Sequence, residues 1–224
     1  MARKIGIVTI GQAPRTDVQP IFQKYLPGVE VVQAGALDGL QKDQIDQTLS
    51  PVDGDYVLTT RLQTGDSVVV ARHKIESLLQ QKVYQLEDTQ CDPILVLCTG
   101  VFESLTTKKS VFLEPDHVIP PVVAALIKDR KLGVIAPLVE QIDDLEEKWT
   151  NVGLYPYMAA ASPYTGDHPE FERAVQELKA QGAEVLLMDC MGYDELMKAD
   201  VMEISGLPVI LSNALMVKLM SELV

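Results

Sequence analysis

Short apolar runs recur along the chain, and most are apolar at consecutive rather than alternate positions. They fall at 4–10, 29–34, 56–60, 67–71 and 94–98, and again at 132–136, 154–160, 184–189 and 207–211. A strand with one wet face alternates, whereas a strand covered on both faces is continuously apolar, so these runs predict strands of parallel sheets. Segments 73–90, 117–130, 140–150, 168–181 and 213–223 between them carry helical spacing. In 168–181, Phe171, Val175 and Leu178 lie on one helical face and Gly182 supplies a stop. Strands alternating with helices predict an α/β fold. Residues 52–72 break the rhythm, because two β runs flank Thr64, Gly65 and Asp66 and predict a local hairpin. No Ser/Gly-rich linker divides the chain, so a domain boundary must run through ordered structure.

Two of the runs end alike. "ILVLCTG" closes on Cys98 and Gly100, and "VLLMDCMG" closes on Cys190 and Gly192. Ligands of parallel α/β sheets bind beyond the carboxyl ends of strands, which is where both cysteines fall. A glycine two residues on lets the backbone turn sharply and lets a ligand approach its N–H. A helix starting after each turn would add amides that stabilise a thiolate or a bound carboxylate, bringing a thiol toward neutrality for acid–base work. Either cysteine alone reads first as a small buried hydrophobe; the shared context is what raises the pair to an equal claim on function. Cys91, in "DTQCDP", lacks that context and reads as structural. Gln12 and Arg15 follow the first strand near the same rim, and Arg15 could grip a carboxylate with two hydrogen bonds. Ser212 and Asn213 follow the last strand, where they read as helix caps or as ligand contacts.

Net charge excludes several partners. A chain at −13 is repelled by phosphate backbones, so no nucleic acid is expected. No run approaches the roughly 18 uninterrupted apolar residues of a membrane span, and the N-terminal stretch reads as a first strand rather than a signal peptide. Three cysteines without a C-x-x-C suit the reducing cytoplasm. His73, His117 and His168 show no metal-ligand spacing, so no metal is expected. G-x-G-x-x-G, P-loop and G-x-S-x-G motifs are absent, so no cofactor is expected either.

The segments "TIGQAPRTDV", "FLEPDHVIPPVVAAL", "LGVIAPLVEQ", "VLLMDCMGY" and "LPVILSNALMVKLMSELV" resemble the AroM family over nearly the full length. The two strand-end cysteines also resemble the aspartate/glutamate racemase superfamily, which includes racemases, maleate isomerases and arylmalonate decarboxylases. That resemblance implies two pseudo-symmetric parallel-sheet α/β domains with an interdomain cleft. Residues 1–104 plus 207–224 would form the first and 105–206 the second. It implies catalytic Cys98 and Cys190 on opposite sides of a substrate carbon, facing a solvent-accessible gap. Racemases follow the first cysteine with Asn-Thr or Asn-Ser and the second with Thr-His; here Thr99-Gly100 and Met191-Gly192 stand instead. The scaffold and sulfurs carry over, but the amino-acid recognition set does not.

The expectation is therefore a cofactor-independent racemase or isomerase acting on a small carboxylate. Gln12, Arg15, Thr99, Gly100, Met191, Gly192, Ser212 and Asn213 would contact the substrate. A non-catalytic small-carboxylate-binding or regulatory protein is the alternative, and a lyase or decarboxylase using Cys190 alone is another. A homodimer is a possible assembly.

Overall fold

The computed structural model describes residues 4–224; residues 1–3, where the expected first unit opens, lie outside them. The chain runs β1 (Lys4–Thr9), α1 (Gln19–Tyr25), β2 (Glu30–Gly35), α2 (Lys42–Thr48), β3 (Val57–Arg61), β4 (Ser67–Ala71), α3 (Arg72–Asp88) and β5 (Ile94–Leu97). It continues through β6 (Phe112–Leu113), α4 (Pro115–Ile127), β7 (Leu132–Ala136), α5 (Ile142–Thr150), β8 (Tyr157–Ala160) and α6 (His168–Gln181). It closes with β9 (Val185–Met188), α7 (Glu195–Ser205), β10 (Val209–Leu211) and α8 (Ser212–Ser221).

Two parallel sheets result, ordered β2-β1-β5-β6 and β10-β9-β7-β8. Three of the continuously apolar runs are covered strands, as expected: every residue of β5, β7 and β9 is buried, whereas β2 and β8, at the sheet edges, are only partly so. The interrupting segment is a two-stranded antiparallel hairpin, with Val57 opposite Ala71 and Arg61 opposite Ser67. Gly65 turns it at φ +95°, a conformation that costs glycine little.

The helices start and stop where side-chain chemistry dictates. Asp167 accepts from Glu170 N–H at the start of α6, and Gly182 ends it at φ +97°. Asp194 caps α7 in the same way and Gly206 ends it. Spacing did not predict α7, α1 or α2. The latter two are too short for a periodic signal, although Asp194 and Gly206 mark α7 in the sequence. On α6, Phe171, Val175 and Leu178 are buried as their spacing required.

One apolar core runs from Ile5, Ile7 and Leu97 on one face of the first sheet through Ile119 and Val123 to the second sheet. Another lies on the opposite face of the first sheet, under the hairpin and α3. The expected division at 104 and 207 needs correction at the level of strands. β10 pairs with β9 and extends the second sheet, while α8 leaves that sheet to pack on α1 and α4. β6 pairs with β5 in the first sheet. The reason is local: β10 follows α7 after a tight αL turn at Gly206, which returns the chain beside the strand it has just left. No helix among the described residues is long and apolar enough to cross a membrane.

Candidate active site

Cys98 follows β5 directly and Cys190 lies two residues beyond β9. The carboxyl ends of the two sheets converge, and both cysteines line one small cavity together with Arg15, Thr60 and Tyr164. Thr99, Gly100 and Met191 line it too. The hairpin covers it: Leu58, Thr59 and Thr60 form part of the wall. The hairpin is tied down from both sides, by Gln12 N–H donating to the Arg61 carbonyl and by Gln141 Nε2 donating to the Val57 carbonyl.

Each sulfur sits in the same cradle. Gly100 N–H donates to Cys98 Sγ and Gly192 N–H donates to Cys190 Sγ, both at 3.4 Å. Space explains the glycines. A Cβ on Gly100 would come within 2.5 Å of Leu58 Cδ2, and one on Gly192 within 2.5 Å of Tyr164 Oη. The repeated Cys-x-Gly is thus a sulfur held by the amide two residues on, beneath a side chain pressed against the glycine.

The thiols are not lowered toward neutrality as expected. Burial pushes Cys98 up to about 12, and the amide of Gly100 offsets only part of that. Burial pushes Cys190 up to about 11, offset by the Gly192 amide and by the charge of Arg15. Both residues are buried rather than open to solvent, at 8% and 7% exposure. No helix starts after Cys98: the chain runs irregularly to β6. After Cys190 a helix does start, but Asp194 already accepts from its Met197 amide. The expected helix N-terminus is therefore absent at Cys98 and capped by Asp194 near Cys190, so burial prevails at both sulfurs.

The expected substrate contacts divide. Arg15 is buried at the cavity, but its guanidinium fork is used within the chain, with Nε and Nη2 donating to Asp17 at 2.9 and 2.6 Å. Nη2 also reaches Tyr164 Oη at 3.3 Å, and Nη1 makes a longer 3.4 Å contact with Thr9 Oγ1. Burial would raise the Asp17 carboxyl, yet hydrogen bonds and charge from Arg15 hold it below its usual range. Gln12 does not line the cavity. Its amide donates to the Leu37 and Leu40 carbonyls and accepts from Gln63 N–H, which anchors the loop after β1. Ser212 and Asn213 stand behind the site. Ser212 Oγ meets Asp189 Oδ1 at 3.5 Å, and Asn213 Nδ2 donates to the carbonyls of Met191 and Tyr193 at 3.1 and 2.6 Å. Asn213 thereby shapes the Cys190 loop. Cys91 packs beneath β1, as its lack of context suggested.

Sequence reasoning missed three residues. Lys148, on α5, pairs with Asp189 at 2.6 Å with both side chains buried. Its Nζ also donates to the Thr99 carbonyl at 3.0 Å, and Thr99 Oγ1 donates to the Asp189 carbonyl at 3.0 Å. The residue after one cysteine is thus stapled to the residue before the other. Thr60 Oγ1 is buried at the cavity wall with no hydrogen-bond partner. Tyr164 lies over Arg15, with 5.8 Å from the guanidinium carbon to the ring centroid. No motif announces these residues, because each acquires its role from a contact distant in sequence.

Solved structures of several enzymes share this fold. Glutamate racemase from Aquifex pyrophilus is similar with a TM-score of 0.60 at 17% identity, over 99% of this chain and 84% of that one. Unliganded arylmalonate decarboxylase is similar with a TM-score of 0.63 at 12% identity, over 99% and 91%. The maleate isomerase Iso from Pseudomonas putida S16 is similar with a TM-score of 0.64 at 9% identity, over 100% and 93%. No curated protein sequence matches the chain. At these identities the likeness establishes the racemase-like fold, and membership at the level of sequence comes from the family model described as "AroM protein", which matches residues 5–224: the chain belongs to the AroM family.

Proposed function

We propose that the protein is a cofactor-independent racemase or isomerase that binds a small carboxylate between Cys98 and Cys190. The observation that carries this reading is the pair of matching sulfur cradles opening on one cavity at the ends of two parallel sheets. Neighbours of the same fold are named as a glutamate racemase, a maleate isomerase and an arylmalonate decarboxylase, which supports the same class of chemistry.

One sulfur must be a thiolate and the other a thiol, because two thiolates in one small site repel. The charge of Arg15 favours the Cys190 thiolate, so Cys190 is assigned as the base, its proton passing to water before the substrate seats. Its thiolate takes a proton from the substrate carbon, and the electron pair left behind delocalises into the adjacent carboxylate. Cys98 then delivers its own proton to the opposite face and becomes the thiolate. The Thr60 hydroxyl and Arg15 Nη1 are the polar groups left to meet the carboxylate. Free Cys91, Cys98 and Cys190 fit the reducing cytoplasm.

A specific observation favours the binding-protein reading as well. Arg15 is engaged by Asp17, and burial pushes both thiols above their ordinary value. Proton NMR in D2O with a panel of small amino, hydroxy and dicarboxylic acids separates the two. The enzyme washes deuterium into the carbon next to a carboxylate of at least one compound. If no compound exchanges while one raises the melting temperature, the binding reading replaces this one.

A further inference from the structure

A second cluster stands outside the cysteine cavity, at the start of α4. Glu114, Asp116 and His117 each offer a ligand atom, and these atoms lie within 4.8 Å of one another. His117 Nδ1 is 3.5 Å from Glu114 Oε1, and its Nε2 is 3.8 Å from Asp116 Oδ2. Ligand atoms around an ion with bonds of about 2.0–2.2 Å stand roughly 3–3.5 Å apart, so small side-chain rotations would complete such a shell.

An independent observation points to a ligand here. The Asp116 side chain is only 3% exposed, yet both its oxygens are buried without a hydrogen-bond partner. Glu114 Oε2 is in the same condition. The amides of Asp116 and His117 lie near enough to favour the charged carboxylate, but neither donates with normal hydrogen-bond geometry. Buried carboxylate oxygens left unpaired are costly and uncommon. The helix adds to the cluster's oxygen character. Pro120 and Pro121 lie inside α4, so the carbonyls of Asp116 and His117 lack their usual i+4 donors.

Lys148 answers this charge only in part, acting on Asp116 through its field without pairing with it. Asp116 and His117 line an open pocket with Asp143, Asp144 and Glu147. The pocket's own cations are already engaged, Lys148 with Asp189 and Arg72 with Glu103.

We infer that Glu114, Asp116 and His117 form a binding site for a divalent transition-metal cation at the mouth of this pocket. Two carboxylate oxygens and one imidazole nitrogen are a donor set that suits Zn2+ or Mn2+. The three histidines, read by their mutual spacing, concealed it: two of the ligands are carboxylates and all three come from one short segment, Glu114 to His117. The site is independent of the proposed sulfur chemistry and stands or falls without it.

The test uses untagged full-length protein and titrates Zn2+ and Mn2+ by calorimetry at about 0.15 M salt, where diffuse attraction to acidic surface is screened. One saturable equivalent is expected, with a rise in melting temperature on binding. Glu114→Gln, Asp116→Asn and His117→Gln should each weaken binding at least about tenfold. Asp143→Asn and Glu147→Gln, which alter only the pocket wall, should leave it within about twofold. His117 is two-thirds exposed, so His117→Gln tests the site even if a buried variant fails to fold. Absence of saturable binding, or binding unchanged by His117→Gln, overturns the inference. So does a loss equally large in the Asp143 and Glu147 variants, which would reduce the site to general acidity.

Discussion

The loops that follow β5 and β9 hold the same Cys-x-Gly cradle in different surroundings. Beyond Cys98 the chain wanders to β6 with no helix, and the sulfur sits under Leu58 of the hairpin. Beyond Cys190 it turns into α7, and the sulfur sits beside Tyr164 and within reach of the Arg15 charge. Each thiol feels a buried cation, Lys148 at Cys98 and Arg15 at Cys190, but Cys98 lies under an apolar roof and Cys190 beside a tyrosine hydroxyl. The lesson is that a repeated motif sets where a thiol is held, whereas its surroundings set how readily it ionises.

The largest expected effect tests whether the difference is a division of labour. Cys98→Ala and Cys190→Ala should each lower the proposed deuterium exchange by about 10²–10⁴-fold, the range for removing a positioned acid or base. Both should fold, which circular dichroism and thermal melts would check. Activity that survives in Cys98→Ala and vanishes in Cys190→Ala would replace the two-base reaction with a lyase using one sulfur.

The staple between the loops comes next. Lys148→Met would leave Asp189 charged and buried without its partner, and should destabilise the fold by about 3–5 kcal/mol in urea unfolding. Adding Asp189→Asn should recover part of that loss, since the orphaned charge is then gone. A Lys148→Met protein as stable as wild type would mean that the two loops hold their places without the ion pair.

The smallest effect sharpens the comparison itself. With thiols raised to about 11 and 12, neither Cys190 nor Cys98 should alkylate appreciably at pH 7. Iodoacetamide labelling followed by mass spectrometry should accelerate as pH rises from 8 to 10, with Cys190 ahead of Cys98. The sign for stability is linked. The folded state keeps these protons where unfolded thiols, near 9, have lost them, so their contribution is whole below pH 9 and declines as pH climbs toward 11. Rapid labelling of Cys98 at pH 7 would show that the roof opens in solution.

The sequence by itself determined the class of fold, since continuous apolar runs such as 94–97 and 185–188 can only be strands covered on both faces. It also determined the Thr64-Gly65-Asp66 hairpin and the place of each cysteine just past a strand end, because glycine and strand-end geometry act over a few residues; that the two meet is a matter of packing. Tertiary structure decided the rest. Gln12 reads as a rim ligand but spends its amide on Leu37 and Leu40; Arg15 reads as free but is held by Asp17 two residues on. Lys148 carries no signal of its own within the helical segment 140–150, yet it joins Thr99 to Asp189. Thiol ionisation followed the same rule: the motif predicted a lowering, and burial beneath Leu58 and Tyr164 reversed it. Hydrophobic periodicity is local and survives in the sequence, whereas desolvation and pairing depend on which distant groups arrive, and only the packed chain specifies those.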